Sequence, residues 1–167
     1  SMVFSESTPP ANALLHCTGC SREQQIKLFQ DVVTLMGNSP IHRHLFFKFQ
    51  SITSTKMDIA LEAFPDTPFA FVYRDSIQTM MSHLDPRKST NGAPCLRSKR
   101  SPPSIVKSAV EKETGSYGKA PNEAWCAAHL RMLCESALES YNKFGVTATE
   151  EGHVKQRGIM INYESLP

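Results

Sequence analysis

Apolar positions recur along the chain with two periods, one near 2 and one near 3.6. Val3-Phe4-Ser5-Glu6-Ser7 reads as a short strand that Thr8-Pro9-Pro10 closes. Ser21-Arg22-Glu23-Gln24 has capping-box spacing, in which a hydroxyl and an amide three residues apart satisfy each other's free backbone N–H groups. Ile26, Phe29, Val32, Val33 and Met36 then form a helical stripe that Gly37-Asn38 stops. Residues 44–50 read as a mostly buried strand, and 55–64 as a short amphipathic helix with Met57, Ala60, Leu61 and Phe64 on one face. The continuous apolar run Phe69-Ala70-Phe71-Val72-Tyr73 predicts a strand covered on both sides. Residues 77–84 turn helical again, with Ile77, Met80, Met81 and Leu84 apolar. Strand, helix, strand, helix at this spacing predicts βαβ units and a parallel sheet.

The pattern then changes. Between residues 86 and 110 there are no acids, but six cations (Arg87, Lys88, Arg97, Lys99, Arg100, Lys107) and four prolines. This reads as a long basic Pro/Ser-rich loop, with a short helix near 104–113; as a solvated loop it needs no further account, and the equal alternative is a functional loop that covers phosphates or attracts an anionic acceptor. Asn122 then caps a helix whose Cys126, Leu130, Leu133, Cys134, Ala137, Leu138 and Tyr141 share a face. After a glycine-punctuated turn, residues 158–164 read as a final strand. No internal repeat is present.

Composition narrows the class. A chain of 167 residues, 40% hydrophobic and 20% charged, excludes wholesale disorder, a collagen-like fibre and a coiled coil. Its apolar runs fall far short of the ~20 residues that span a bilayer, so no membrane partner is expected. Eighteen cations against sixteen anions give +2, and the basic loop lacks aromatics for base stacking, so no nucleic-acid partner is expected either. The five cysteines (17, 20, 95, 126, 134) are odd in number and sparse, which predicts reduced thiols and favours a cytoplasm-like compartment. The N-terminus lacks the basic start and apolar stretch of a signal peptide. His16-Cys17-Thr18-Gly19-Cys20 has no second Cys/His pair for zinc and reads as a loop before a capped helix, so no metal is predicted. Cys126 and Cys134, eight apart on one helix, are expected in the core.

The most informative stretch is residues 69–84. A buried strand delivers Arg74 at its carboxyl end, a helix begins at once, and Ser82 lies eight residues on. In open parallel sheets ligands bind outside the carboxyl ends of strands, where a guanidinium offers a planar fork for phosphate. This pattern resembles the sulfotransferase family, which takes sulfate from 3′-phosphoadenosine 5′-phosphosulfate (PAPS). Arg74-Asp75 and Ser82 match the family's 3′-phosphate motif in type and spacing, with Ser76 where proline is usual. Asn162-Tyr163-Glu164-Ser165-Leu166 resembles the family's Tyr-Glu-Asp-Leu strand end, whose tyrosine lies near the adenine; the residues alone equally allow a buried strand aromatic. Residues 47–50 resemble the strand that reads Lys-Thr-His in cytosolic members; the catalytic histidine would fall on Gln50, which cannot take a proton.

The resemblance covers residues 3–167 and implies a P-loop NTPase-like, three-layer α/β fold with a parallel sheet between helices. It begins after the family's first strand and 5′-phosphosulfate-binding turn, and stops before later donor-contacting segments. One partial domain, 1–167, with an exposed sheet edge that admits a homo-oligomeric partner, is therefore expected. The implied chemistry is sulfate transfer from PAPS, as co-substrate and without metal, to a hydroxyl or amine of a small-molecule or glycan acceptor. Glu6 is the candidate base, Lys48 the candidate stabiliser of the sulfuryl oxygens, and Arg74, Ser82 and Tyr163 the donor-binding set. A cap-forming Glu6 and a lysine reaching out from a strand edge are the plainer readings of the first two. The alternative function is a non-catalytic nucleotide-binding or interaction module that keeps the 3′-phosphate half-site.

Overall fold

A computed structural model describes residues 1–85, 87, 94–148 and 154–166. Two compact units make it up, Ser1–Phe69 with Ser136–Ile159 and Ala70–Glu135 with Met160–Pro167.

In the first unit β1 (Met2–Ser5) and β2 (Leu45–Lys48) pair in parallel, with Met2 opposite Leu45 and Ser5 opposite Lys48. Alternation sends Phe4 and Phe47 to one face, where their rings stack at 4.9 Å, and the register partners Val3 and Phe46 to an exposed face. Helix α1 (Thr8–Leu15) follows directly, in place of the predicted break at Thr8-Pro9-Pro10. Both prolines fall in its first turn, where backbone N–H groups have no intrahelical acceptor and proline costs nothing.

Helix α2 (Arg22–Gly37) carries the predicted capping box: Ser21 N–H donates to Gln24 Oε1 at 2.9 Å, and Gln24 N–H to Ser21 Oγ at 3.3 Å. Phe29 of α2 meets Ala13 and Leu14 of α1 and Ile59, Ala60 and Ala63 of α3 (Met57–Ala63) in one buried cluster. Arg22 ties α2 to α3 across Asp58 (2.8 Å) and Glu62 (2.9 Å), and its hydrogen bond holds the Glu62 carboxyl below the ordinary carboxylate value.

Strand β3 (Phe69–Tyr73) lies beside β6 (Gly158–Asn162), while β4 (Val146–Ala148) and β5 (Val154–Gln156), not predicted from the sequence, pair antiparallel. At Gly158 a Cβ would lie 2.5 Å from Phe69 Cζ and 3.0 Å from Gly145 Cα, so a larger residue must displace the Phe69 ring. No sheet among the described residues exceeds two strands, so the architecture is α/β with short sheets. β3 also departs from its expected cover: Ala70, Val72 and Tyr73 are exposed.

In the second unit α4 (Ser76–Leu84) is followed, beyond residues outside the described set, by α5 (Arg97–Arg100), α6 (Ser104–Thr114) and α7 (Asn122–Phe144), whose last turns belong to the first unit. Of the predicted basic loop, 86 and 88–93 lie outside the described residues; from Pro94 onward it is largely helical. The buried face of α7 runs through Trp125, Cys126, His129, Met132 and Leu133, and the predicted core positions Cys134 and Leu138 are exposed.

Cys95 and Cys126, both fully buried, form a disulfide against which Met80, Leu84 and Leu96 pack; Cys17 and Cys20 form a second. Both bonds overturn the expectation of reduced thiols. The odd count misled because one cysteine, Cys134, is simply left over. No helix among the described residues is long and apolar enough to cross a membrane.

Two histidines belong to this second unit. Burial pushes His83 and His129 below the ordinary imidazole value, and the His83 charge pushes His129 further; among the described residues His83 Nδ1 has no hydrogen-bond partner. With folded values depressed, the unfolded chain binds more protons, so stability is full above pH 6.5 and is lost as pH falls through the folded values. The urea midpoint should therefore drop between pH 7.5 and pH 5, and His129→Gln should flatten that drop. An equally steep drop in the variant would assign the acid sensitivity to other groups.

Candidate functional site

The carboxyl end of β3 delivers Arg74, and Asp75 converts the strand into a helix. Its Oδ1 accepts the Gln78 N–H at 2.8 Å, the N-cap bond that starts α4. Ser76 is the first helical residue, where the missing N–H partner makes serine an adequate substitute for proline. Gln78, one turn on, accepts from Arg74 Nη2 at 2.9 Å and holds the guanidinium. Gln78 was not among the residues expected from the sequence; the four-residue step from Arg74 is the signal that would have found it.

Beside β3, β6 ends at Asn162, whose Oδ1 accepts the Glu164 N–H at 3.0 Å and turns the chain into a 3₁₀ turn. Tyr163 opens that turn, exposed, and Arg74 Cζ lies 5.7 Å from its ring centroid. Two residues 89 positions apart thus share one small patch, an aromatic face next to a guanidinium. Arg74 is exposed, and of its five N–H donors the described side-chain bonds occupy one, leaving the fork free to take an anion. Exposure of Tyr163 removes the buried-aromatic reading. Ser82 sits half-buried on α4, and among the described residues no hydrogen bond joins it to Arg74 or Tyr163.

Glu6 and Lys48 come together in the first unit. They follow and end the paired strands β1 and β2, so parallel register places them side by side. Lys48 Nζ donates to Glu6 Oε1 at 2.9 Å, and Glu6 N–H donates to Lys48 O at 2.7 Å. Glu6 has φ of 52°, and no other non-glycine described residue has a positive φ. That left-handed backbone costs an L-residue of this kind about 1–2 kcal/mol, and such strain collects at functional positions. Gln50 is exposed, and its backbone carbonyl accepts from Thr53 Oγ1 at 2.6 Å and from Thr53 N–H at 3.0 Å.

Among the described residues no three His, Cys, Asp or Glu side chains gather as a metal would need. A polar cavity of about 260 Å³ in the first unit, lined by Ser54, Asp58, Ser140 and Lys143 among others, contains none of the candidate residues. No family model, curated protein or solved structure matches the chain. The sulfotransferase resemblance accordingly rests on the residues themselves.

Proposed function

We propose that the chain belongs to a sulfotransferase-like α/β protein that takes sulfate from PAPS to a hydroxyl or amine of a small-molecule or glycan acceptor. The observation that carries this reading is the meeting of Arg74 and Tyr163: a strand-end arginine for the 3′-phosphate and a tyrosine for the adenine, read independently from two motifs, lie 5.7 Å apart. Asp75 and Gln78 hold the arginine without consuming its fork. Ser82, two turns along α4, supplies a further hydroxyl on the same reading.

Glu6 and Lys48 support the second half. Sulfuryl transfer needs a base for the acceptor and positive charge on the transferring oxygens. A carboxylate and an ammonium at adjacent strand ends of the first unit are groups of both kinds. The parent fold on this reading is a three-layer parallel sheet between helices, and the parallel β1–β2 pair is the part that supports it.

Calorimetric titration with adenosine 3′,5′-bisphosphate tests the donor site. Arg74→Ala should weaken binding by about 10- to 150-fold, the worth of a charge-assisted hydrogen bond of about 1.5–3 kcal/mol. An unchanged affinity, or no binding by the unaltered chain, would remove the assignment. Binding without sulfate transfer would favour the non-catalytic nucleotide-binding module instead.

A further inference from the structure

Arg97-Ser98-Lys99-Arg100-Ser101 is the one place in the sequence where two arginines stand three apart, and a lysine lies between them. Its three cations are exposed, and no salt bridge among the described residues engages them. The segment is a single helical turn without a side-chain N-cap bond, and among the described residues Lys99 Nζ donates to Asn122 Oδ1 at 3.1 Å. So short a helix is marginal in water and unwinds at little cost. The residues after it have left the helical conformation: Ser101 has φ −142° and ψ 77°, and Pro103 has φ −54° and ψ 144°.

We propose that the Arg100–Ser101 peptide bond is a processing site for a subtilisin-like serine protease of the paired-basic class. Such an enzyme binds its substrate extended and seats Arg100, Lys99 and Arg97 in acidic pockets. Exposed, weakly held segments are where cleavage of folded proteins concentrates. The protease serine attacks the Arg100 carbonyl carbon and the C–N bond breaks. The Ser101 nitrogen takes a proton and leaves as a new amino terminus. Water then releases Arg100 as a carboxylate, with no redox partner needed.

The buried disulfide fits this use. Cys95 precedes the bond and Cys126 follows it, so the cut chain remains one covalent molecule. Disulfides persist in oxidising compartments, the setting in which proteases of this class meet their substrates. Other basic steps lack the pattern: Arg87-Lys88 ends in lysine, and the Arg157 side chain is buried. Cleavage places Arg74 and Tyr163 on two polypeptides joined through Cys95 and Cys126, which makes the state of their patch depend on the disulfide. The proposal stands on the segment itself and does not rest on the sulfotransferase reading.

The test is incubation of the oxidised chain with a purified paired-basic convertase and calcium. Gels with and without reductant, and amino-terminal sequencing, give the readout. The expected result is an unchanged band without reductant and two fragments with it. The new amino terminus should read Ser101-Pro102-Pro103-Ser104. Arg100→Ala and Arg97→Ala, both surface changes, should each slow cleavage at least about 30-fold, the cost of truncating one partner of a buried charge pair. A chain left intact, a cut at another bond, or an Arg100→Ala variant cut at the same rate would overturn the site. Fragments that separate without reductant would overturn the two-chain product.

Discussion

Arg157→Met is expected to lower the unfolding free energy by about 3–5 kcal/mol, read as a shift of the urea midpoint at unchanged slope. Arg157 is 4% exposed, a rare state for a guanidinium, and among the described residues no carboxylate forms a salt bridge with it. Backbone carbonyls take that role. Nε donates to Thr67 O at 2.9 Å, and Nη2 donates to Leu61 O at 2.8 Å and Phe64 O at 2.5 Å. Those acceptors close the end of α3 and the turn after it, where the last carbonyls of a helix lack partners. The rings of Phe69 and Phe144 lie 5.7 Å and 6.0 Å from Arg157 Cζ.

Methionine keeps much of the length and apolar stem but removes the guanidinium donors from Thr67 O, Leu61 O and Phe64 O, of which Phe64 O keeps the Thr67 N–H at 3.1 Å. Desolvation lowers the Arg157 value, so burial does strain the charge; the carbonyl acceptors and the charge of Asp66 offset it. Arg157→Lys should recover part of the loss, since an ammonium is a point donor that cannot span the fork. A change below about 1 kcal/mol in Arg157→Met would mean that water satisfies the carbonyls instead.

Nothing in the sequence marked Arg157, because a lone cation in Lys-Gln-Arg-Gly carries no periodicity and its partners are backbone atoms about 90 residues away. By contrast the α2 capping box and the Asp75-started α4 were legible, since each is complete within four residues. α1 was lost because Pro9-Pro10 signals a stop in mid-helix and a start in the first turn, and only the residues after it decide which. On α7 the chosen stripe omitted Trp125, His129 and Met132, and so turned the helix by about one residue; burial of an aromatic outweighed a longer run of aliphatics. The disulfides escaped because pairing is a three-dimensional fact and an odd count argues only against complete pairing. Of the candidate site, the strand-end placement of Arg74 was readable because strand ends and ligand positions are linked by topology. The contact with Tyr163 was not, since it depends on which strand lies beside β3.

On the proposed function, Glu6→Gln is expected to reduce sulfate transfer by about 10²- to 10⁴-fold, the contribution of a positioned general base. Radiolabelled PAPS offered with a panel of phenols, amines and glycans provides the assay. Stability should change by less than about 1 kcal/mol, because the Glu6–Lys48 pair is exposed to solvent and screened. The amide keeps the volume and can still accept from Lys48 Nζ, so lost turnover with an unmoved urea midpoint isolates proton transfer from packing. Lys48→Met separates the two roles further. As a positive charge on the sulfuryl oxygens, Lys48 should affect transfer from PAPS while leaving adenosine 3′,5′-bisphosphate binding intact, since that product lacks the transferred group. A Lys48→Met loss confined to bisphosphate affinity would make it a phosphate contact. Retained turnover in Glu6→Gln would exclude the carboxylate as the base, and the strained backbone at φ 52° would then need a reason other than catalysis.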